Sequence, residues 1–514
     1  MSFHEGLTRT VKAKSLTALF ASLLLKPSPI FRYNGTSPFN SLSNLWMVKF
    51  MEQQNQKLMA KIEEKRPKRL LSIDGGGIRG ILPLQILKKV ESIVLKYNPS
   101  CECLGDYFDF IAGTSTGSII ATGLAIGMKI DDLLELYKDG EAIFKKEELS
   151  DEKILEYLKP VIDQLIKAAI PKGWGMQTIA GWYAGLKEKD IPTKVREILK
   201  SKNIDESLLL QLIYGWQYSP DPLYKKLEEK FGELTLGSEE LKALLMIVTK
   251  NATTGQPYFF VNNPKDKEFQ NKLSQVKLKD IVRASSAAPT YFPPHSFKVG
   301  NEEYEFIDGG MSTFNNPSFI LFLQAVTQQF GIDWTVGEEN LLMISVGTGF
   351  SPERLKWDEA NNQYKKAKDY KLTDWGGYAI GVLMEDANIY ENLMMKIIGK
   401  KPSKNQMTSP PKLVGNTTYI DDWEFPDVTK GDGSKWLKYR RYSCSLRTER
   451  FKQLEEKFGL KLSFPPDNRE KIERINQMDC TDMIEDLSMI GAAVAKEQVR
   501  DYHFQGFTEN PITG

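Results

Sequence analysis

The sequence predicts an α/β fold, and three observations carry that reading. Two short apolar stretches each run into a glycine-framed turn and then into a helical pattern, and a third apolar stretch ends on an aspartate followed by two glycines. Strand then helix, repeated, is the α/β pattern. Hydrophobic residues make up 41% of the chain, enough for the sizeable core such a sheet requires.

In the first unit, Arg69 to Ile73 (Arg-Leu-Leu-Ser-Ile) reads as a short strand, followed by Asp74-Gly75-Gly76-Gly77-Ile78-Arg79-Gly80. After the glycines, Pro83, Ile86, Val90, Ile93 and Tyr97 recur at spacings of three and four, one face of a helix. The glycine loop therefore opens a helix. Free N–H groups at a helix start, with glycines that admit close backbone approach, offer positive potential to an anion. An oxyanion hole needs that arrangement. A dinucleotide-binding loop would also match at Gly75, Gly77 and Gly80, but it requires a following strand that ends in an acidic residue. Tyr97 to Gly105 reads instead as a loop. A phosphate-binding P-loop fails because no Gly-Lys-Ser/Thr closes the run.

In the second unit, Tyr107 to Ala112 reads as a buried strand and Ser118 to Gly127 as a tightly packed helix. Between them lies Gly113-Thr114-Ser115-Thr116-Gly117, the Gly-x-Ser-x-Gly form of a nucleophile elbow. Small residues on both sides of a serine permit a strained turn that holds the hydroxyl out. Ser115 is the candidate nucleophile, and Thr116 follows it at the helix start.

A serine hydroxyl needs a group to take its proton. The chain has three histidines, His4, His295 and His503, so a Ser-His-Asp triad stays open on a thin supply. An aspartate can serve instead where desolvation raises its basicity. Asp308 is the candidate: it follows an apolar strand end, Tyr304 to Ile307, and precedes Gly309-Gly310.

The order Asp-Gly-Gly-Gly-Ile-Arg-Gly, Gly-Thr-Ser-Thr-Gly, Ala284 to Pro294, then Asp308-Gly309-Gly310 with Asn315-Asn316-Pro317 resembles the patatin-like phospholipase family. The third motif is Asp-Gly-Gly where many members have Asp-Gly-Ala. The resemblance implies an α/β/α sandwich around a mainly parallel sheet, and a calcium-independent lipid acyl hydrolase without a cofactor or metal. It implies Ser115 as nucleophile and Asp308 as base, forming an acyl-enzyme. Backbone donors for the oxyanion are expected at Gly75, Gly76, Gly77, Gly80 and Thr116, and Arg79 is a candidate contact for a lipid phosphate or for its own loop. Phospholipid or a related glycerolipid is the expected substrate. An acyltransferase on the same dyad and a non-catalytic lipid-binding module are the alternatives, and an activating ligand is a further expectation. The resemblance runs from about residue 68 to near the end, which implies an N-terminal extension over 1–65, a catalytic core over 66–350 and a C-terminal elaboration over 351–514.

The 68 basic and 67 acidic residues nearly cancel, so no global charge argues for nucleic acid. Membrane attraction must be local. The basic candidates are Lys65 to Arg69, Lys365 to Lys368, and Lys435 to Arg441, where Trp436 and Tyr439 interleave with cations; a solvated charged face is the simpler reading of each. Four cysteines do not make a disulfide framework and read as ordinary thiols in a reducing compartment. The expected location is the cytoplasm, with peripheral membrane contact.

Residues 148–216 form an insertion in which Ile154, Leu158, Val161, Ile162, Leu165 and Ile166 mark an amphipathic helix, read as a lid or as a helical decoration. Near the N-terminus, Arg9, Lys12 and Lys14 precede the apolar run Leu16 to Leu25, too short to span a bilayer. That segment reads as a transit or signal peptide, an amphipathic anchor, or an extension ahead of a start at Met47 or Met51, with no targeting as the expectation.

Overall fold

The computed structural model describes residues 56–156, 213–350, 363–370, 372–400 and 433–512, with isolated residues between 192 and 211 and at 357–361. Along the chain, helix α1 (Gln56–Glu63) leads into strand β1 (Lys68–Ile73), α2 (Ile81–Tyr97), β2 (Phe110–Thr114), α3 (Thr116–Ala125) and α4 (Ile130–Lys138). Strands β3 (Leu244–Asn251) and β4 (Gln256–Val261), helix α5 (Leu278–Ser285), the hairpin β5 (His295–Val299) and β6 (Glu302–Asp308), helix α6 (Ser318–Val326) and β7 (Leu341–Val346) follow. Helix α7 (Leu372–Ile398), β8 (Gly399–Lys400), β9 (Leu437–Tyr442) and α8 (Ile484–Gln498) close the order.

The strands form one sheet in the order β8-β9-β7-β1-β2-β3-β6-β5, with β4 also on β3. From β8 to β3 every pairing is parallel, while β4, β6 and β5 run antiparallel. Strands β2 and β7 are buried at every position, so they read as continuous apolar runs rather than alternating ones. The side-chain period of two still sorts them onto the two faces. Leu71, Ile73, Ile111, Leu245, Ile247, Leu342 and Ile344 enter one core with α2, α3 and α8. Leu70, Phe110, Ala112, Leu244, Met246, Leu341 and Met343 enter the other with α1 and α6. Helices on both faces of a mainly parallel sheet make the expected α/β/α sandwich.

Several sequence expectations shift. The second strand begins at Phe110 rather than Tyr107, because Leu104–Tyr107 forms a helical turn in which Asp106 accepts from the Cys103 N–H. Part of the expected N-terminal extension belongs to the core: Leu58 and Ile62 are buried, and Lys61 Nζ donates to Phe108 O at 2.7 Å. The basic run Lys65 to Arg69 serves the fold, with Arg66 pairing with the buried Asp109 at 2.7 Å. The sheet also does not stop at residue 350. Lys435 to Arg441 is neither a solvated face nor a lipid surface, since it feeds β9, which pairs with β7, and Lys435, Leu437, Tyr439 and Arg440 are buried. Of the expected insertion helix, residues 151–156 are helical with Ile154 buried; Leu158 to Ile166, like the N-terminal run Leu16 to Leu25, lies outside the described residues. The four cysteines are free.

Candidate active site

The site forms where β1 and β2 end side by side, with Ile73 paired to Gly113, as ligand sites in parallel sheets do. Ser115 caps α3 at φ 53° and ψ −125°, one of two non-glycine residues with positive φ among the described residues. Such a conformation costs of order 1–3 kcal/mol and persists only where neighbours hold it. The framing glycines are required by close approach. A Cβ on Gly113 would collide with Gly117 O, and one on Gly117 would collide with Ile73 O at the end of β1. Ser285 supplies the restraint: the Ser115 N–H donates to Ser285 Oγ at 2.9 Å, and Ser285 Oγ donates to Val248 O on β3 at 2.6 Å. Ser118 Oγ donates to Ser115 O at 2.6 Å, so both peptide groups of the serine are fixed.

Asp308 ends β6 opposite Thr249 of β3 and is 4% exposed. The Ser115 side chain lies beside its carboxylate, near enough to pull the Asp308 pKa down. Asp308 Oδ1 accepts from the Gly310 N–H at 2.7 Å. Burial pushes the Asp308 carboxyl up to about 6, against the opposing pull of Ser115, Gly310 and the positive charge of Arg283. Arg283 is itself buried, donates to Pro293 O at 3.1 Å and stacks on Phe292.

The histidines go elsewhere. His295 Nε2 bonds to Asp280 Oδ1 at 3.1 Å, and buried His503 bonds to Tyr442 through Nδ1, with burial holding its pKa down near 3. His4 lies outside the described residues.

The five expected oxyanion positions separate. The Gly75 N–H is committed to Asn315 O at 3.1 Å, and a Cβ on Gly80 would collide with Thr116 Oγ1, so Gly80 acts as a spacer. The N–H groups of Gly76, Gly77 and Thr116 stand at the starts of two helical segments, and among the described residues none donates outside them. Gly77, at φ 60°, places the loop against the C-terminal segment, where the Ile78 N–H donates to Met478 O at 2.8 Å. Thr348 Oγ1 donates to Gly75 O at 2.7 Å. Asp74 is buried and held by Arg441 of β9, at 3.0 Å from Nη1 to Oδ1 and 2.5 Å from Nη2 to Oδ2. Arg79 is half-buried with Nε on Gly76 O at 3.3 Å, within its own loop.

An apolar pocket opens from Ser115, walled by Ile78, Ile119, Leu136, Ile143, Phe144, Leu223, Tyr291, Phe292 and Met478. No group of three or more His, Cys, Asp or Glu among the described residues is arranged to hold a metal ion. The braces Ser285, Thr348 and Arg441 escape sequence reasoning. Ser285 lies inside the Ala284 to Pro294 segment, yet nothing local marks its partner.

Residues 71–321 match the family model described as patatin-like phospholipase. A cGAMP-activated phospholipase of Escherichia coli (strain TW11681) is 30% identical over 282 residues, which are 54% of this chain and 62% of that protein. One from Vibrio cholerae serotype O1 is 31% identical over 55% of this chain and 65% of its own length. Patatin-like protein 2 of Arabidopsis thaliana is 30% identical over 60% of this chain and 64% of its own. The chain thus spans a little under two thirds of the length of each of these relatives. Residues 71–321, which carry the three glycine motifs, form a patatin-like phospholipase domain.

Proposed function

We propose that the protein is a lipid acyl hydrolase that cleaves fatty-acyl esters of phospholipids or related glycerolipids, with Ser115 as nucleophile and Asp308 as base. One observation carries the reading: a serine in a strained elbow stands beside a buried carboxylate, at the mouth of an apolar pocket. Asp308 takes the hydroxyl proton as Ser115 Oγ attacks the ester carbonyl, and the N–H groups of Gly76, Gly77 and Thr116 receive the negative charge that develops on oxygen. Collapse of the tetrahedral species expels the alcohol, which carries away the proton from Asp308, and leaves an acyl-enzyme. Water then attacks it, losing its proton to the same carboxylate, and fatty acid departs. The apolar walls of the pocket suit an acyl chain and keep the base dry, which sustains its raised basicity.

Backbone N–H groups hold the oxyanion in this scheme, so turnover is expected to survive a calcium chelator. No helix among the described residues is long and apolar enough to cross a membrane. The lipid substrate puts the proposed reaction at a membrane surface, and free cysteines suit a reducing cytoplasm. Two of the relatives are named cGAMP-activated, so an activating ligand belongs in the assay.

The test is fluorophosphonate labelling and fatty-acid release from mixed phospholipids, with chelator, with and without cGAMP, for wild type, Ser115→Ala and Asp308→Asn. Labelling and release by wild type, both lost in Ser115→Ala, are expected. A folded wild type that neither labels nor releases acid under any condition would overturn the reading in favour of a lipid-binding module.

A further inference from the structure

Helix α7 presents an apolar ridge on one side and packs on the loop that follows Asp308 on the other. Among the described residues four large apolar side chains stand exposed, and three of them are on this helix: Trp375 at 40%, Leu383 at 68% and Tyr390 at 53%. On a helix of 3.6 residues per turn these positions fall along one line. Exposed Ala379 and Asp386 fill the intervening turns, so Asp386 is the single charge on the ridge. The opposite face is packed, with Met395 in the core beneath the sheet. On that face Met384 lies against Gly310, and Asn388 Oδ1 accepts from Asn315 Nδ2 at 3.1 Å. The helix that carries the ridge therefore packs on the loop that follows Asp308.

A helix face in permanent contact with water is normally charged, and one with Asp386 as its single charge marks a contact surface. The composition around this one selects the contact. Tyr370, Trp375 and Tyr378 cluster edge to face near the helix start, with ring centroids 5.1 to 6.1 Å apart. Lys366 and Lys368 are exposed immediately upstream. An apolar stripe with Trp and Tyr on it and lysines ahead of it is what a helix lying in a lipid interface presents. Those lysines favour a surface bearing anionic head groups.

We propose that this ridge of α7 seats the protein on an anionic lipid bilayer, through the helix that packs on the Asp308 loop. The inference rests on the lipid-hydrolase reading for the use of the contact, while the contact itself can be measured without turnover. It also differs from the expectation for Lys435 to Arg441, whose residues are taken up by the sheet.

The experiment floats the full chain, in a Ser115→Ala background that leaves the lipid intact, with phosphatidylcholine vesicles lacking or containing about 30 mol% phosphatidylglycerol. The double variant Leu383→Glu/Tyr390→Glu is compared with Met489→Glu, which puts the same charge at the fourth exposed apolar position, on α8. Binding of the parent to anionic vesicles is expected to fall roughly tenfold or more in the double variant and to stay within about twofold in the control. In the active background, turnover of a short soluble ester should be unchanged in the double variant while turnover on vesicles falls, which also reports that the variant is folded. Equal vesicle binding by parent and double variant overturns the proposal. So does a parent that binds no vesicles, or light scattering in which the double variant breaks a dimer, since the ridge would then join two copies. If the Ser115→Ala parent floats but the protein with Ser115 intact hydrolyses no ester, the hydrolase reading fails and the docking surface stands.

Discussion

Replacing the proposed base should make the protein more stable while it destroys activity, and only where pH leaves the native carboxyl ionised. Burial moves the Asp308 carboxyl from 3.8 up to about 6. With the folded pKa above the unfolded one, the folded state holds its proton over a window in which the unfolded chain has released it. The contribution to stability is therefore fully present below about pH 4 and is lost as pH rises through about 6. The gap of about two units corresponds to roughly 3 kcal/mol of stability given up at neutral pH. Asp308→Asn keeps the shape and an oxygen to accept the Gly310 N–H, and carries no charge to desolvate. At pH 8 the variant should gain up to roughly 3 kcal/mol, seen as a rise of a few degrees in Tm. At pH 4 the two proteins should melt together. Scanning calorimetry from pH 4 to pH 8 on wild type and Asp308→Asn measures the difference. A Tm difference that does not vary with pH, or a loss of stability at pH 8, would refute the reasoning that burial sets this carboxyl. A base kept costly in this way is a stability and function trade-off.

The same carboxyl fixes the pH profile: kcat/KM on a soluble ester should rise through about pH 6 and level off above, since the base works only when deprotonated. Arg283→Met removes a charge that holds the carboxyl down, so its acid limb should move to higher pH; an unmoved limb would assign Arg283 to packing alone. Ser285→Ala frees the elbow and should slow fluorophosphonate labelling by about 10- to 100-fold at full final stoichiometry, with Ser285→Thr recovering part of the rate. Partial stoichiometry at the wild-type rate would instead mean that Ser285 only supports folding. Arg441→Met leaves the Asp74 carboxyl buried without its counter-ion, and should cost about 3–5 kcal/mol in urea unfolding. Adding Asp74→Asn should return most of that loss; two penalties that simply add would mean the ion pair is not the source.

What the sequence alone determined about this protein is what backbone geometry writes locally. A glycine is needed at 113 and 117 because a Cβ at either would strike a carbonyl, and that demand is visible as Gly-x-Ser-x-Gly before any fold is known. Strand, glycine turn and helix follow one another within a few residues, so both loops, Ser115 and the end of the strand at Asp308 could be read directly. Boundaries moved where a capped turn intruded, as at Leu104–Tyr107. The tertiary structure alone decided which distant groups meet. Ser285 reaches the Ser115 N–H across 170 positions of chain, and Arg441 reaches Asp74 across 367. It also decided that Lys435 to Arg441, charged enough to look solvated, feeds a sheet strand, because Arg441 finds a carboxylate there and Arg440 finds the carbonyls of Lys400 and Tyr439. Burying a charge is ruinous or harmless according to the partner it meets, and that partner is set by how the chain closes on itself rather than by neighbouring residues.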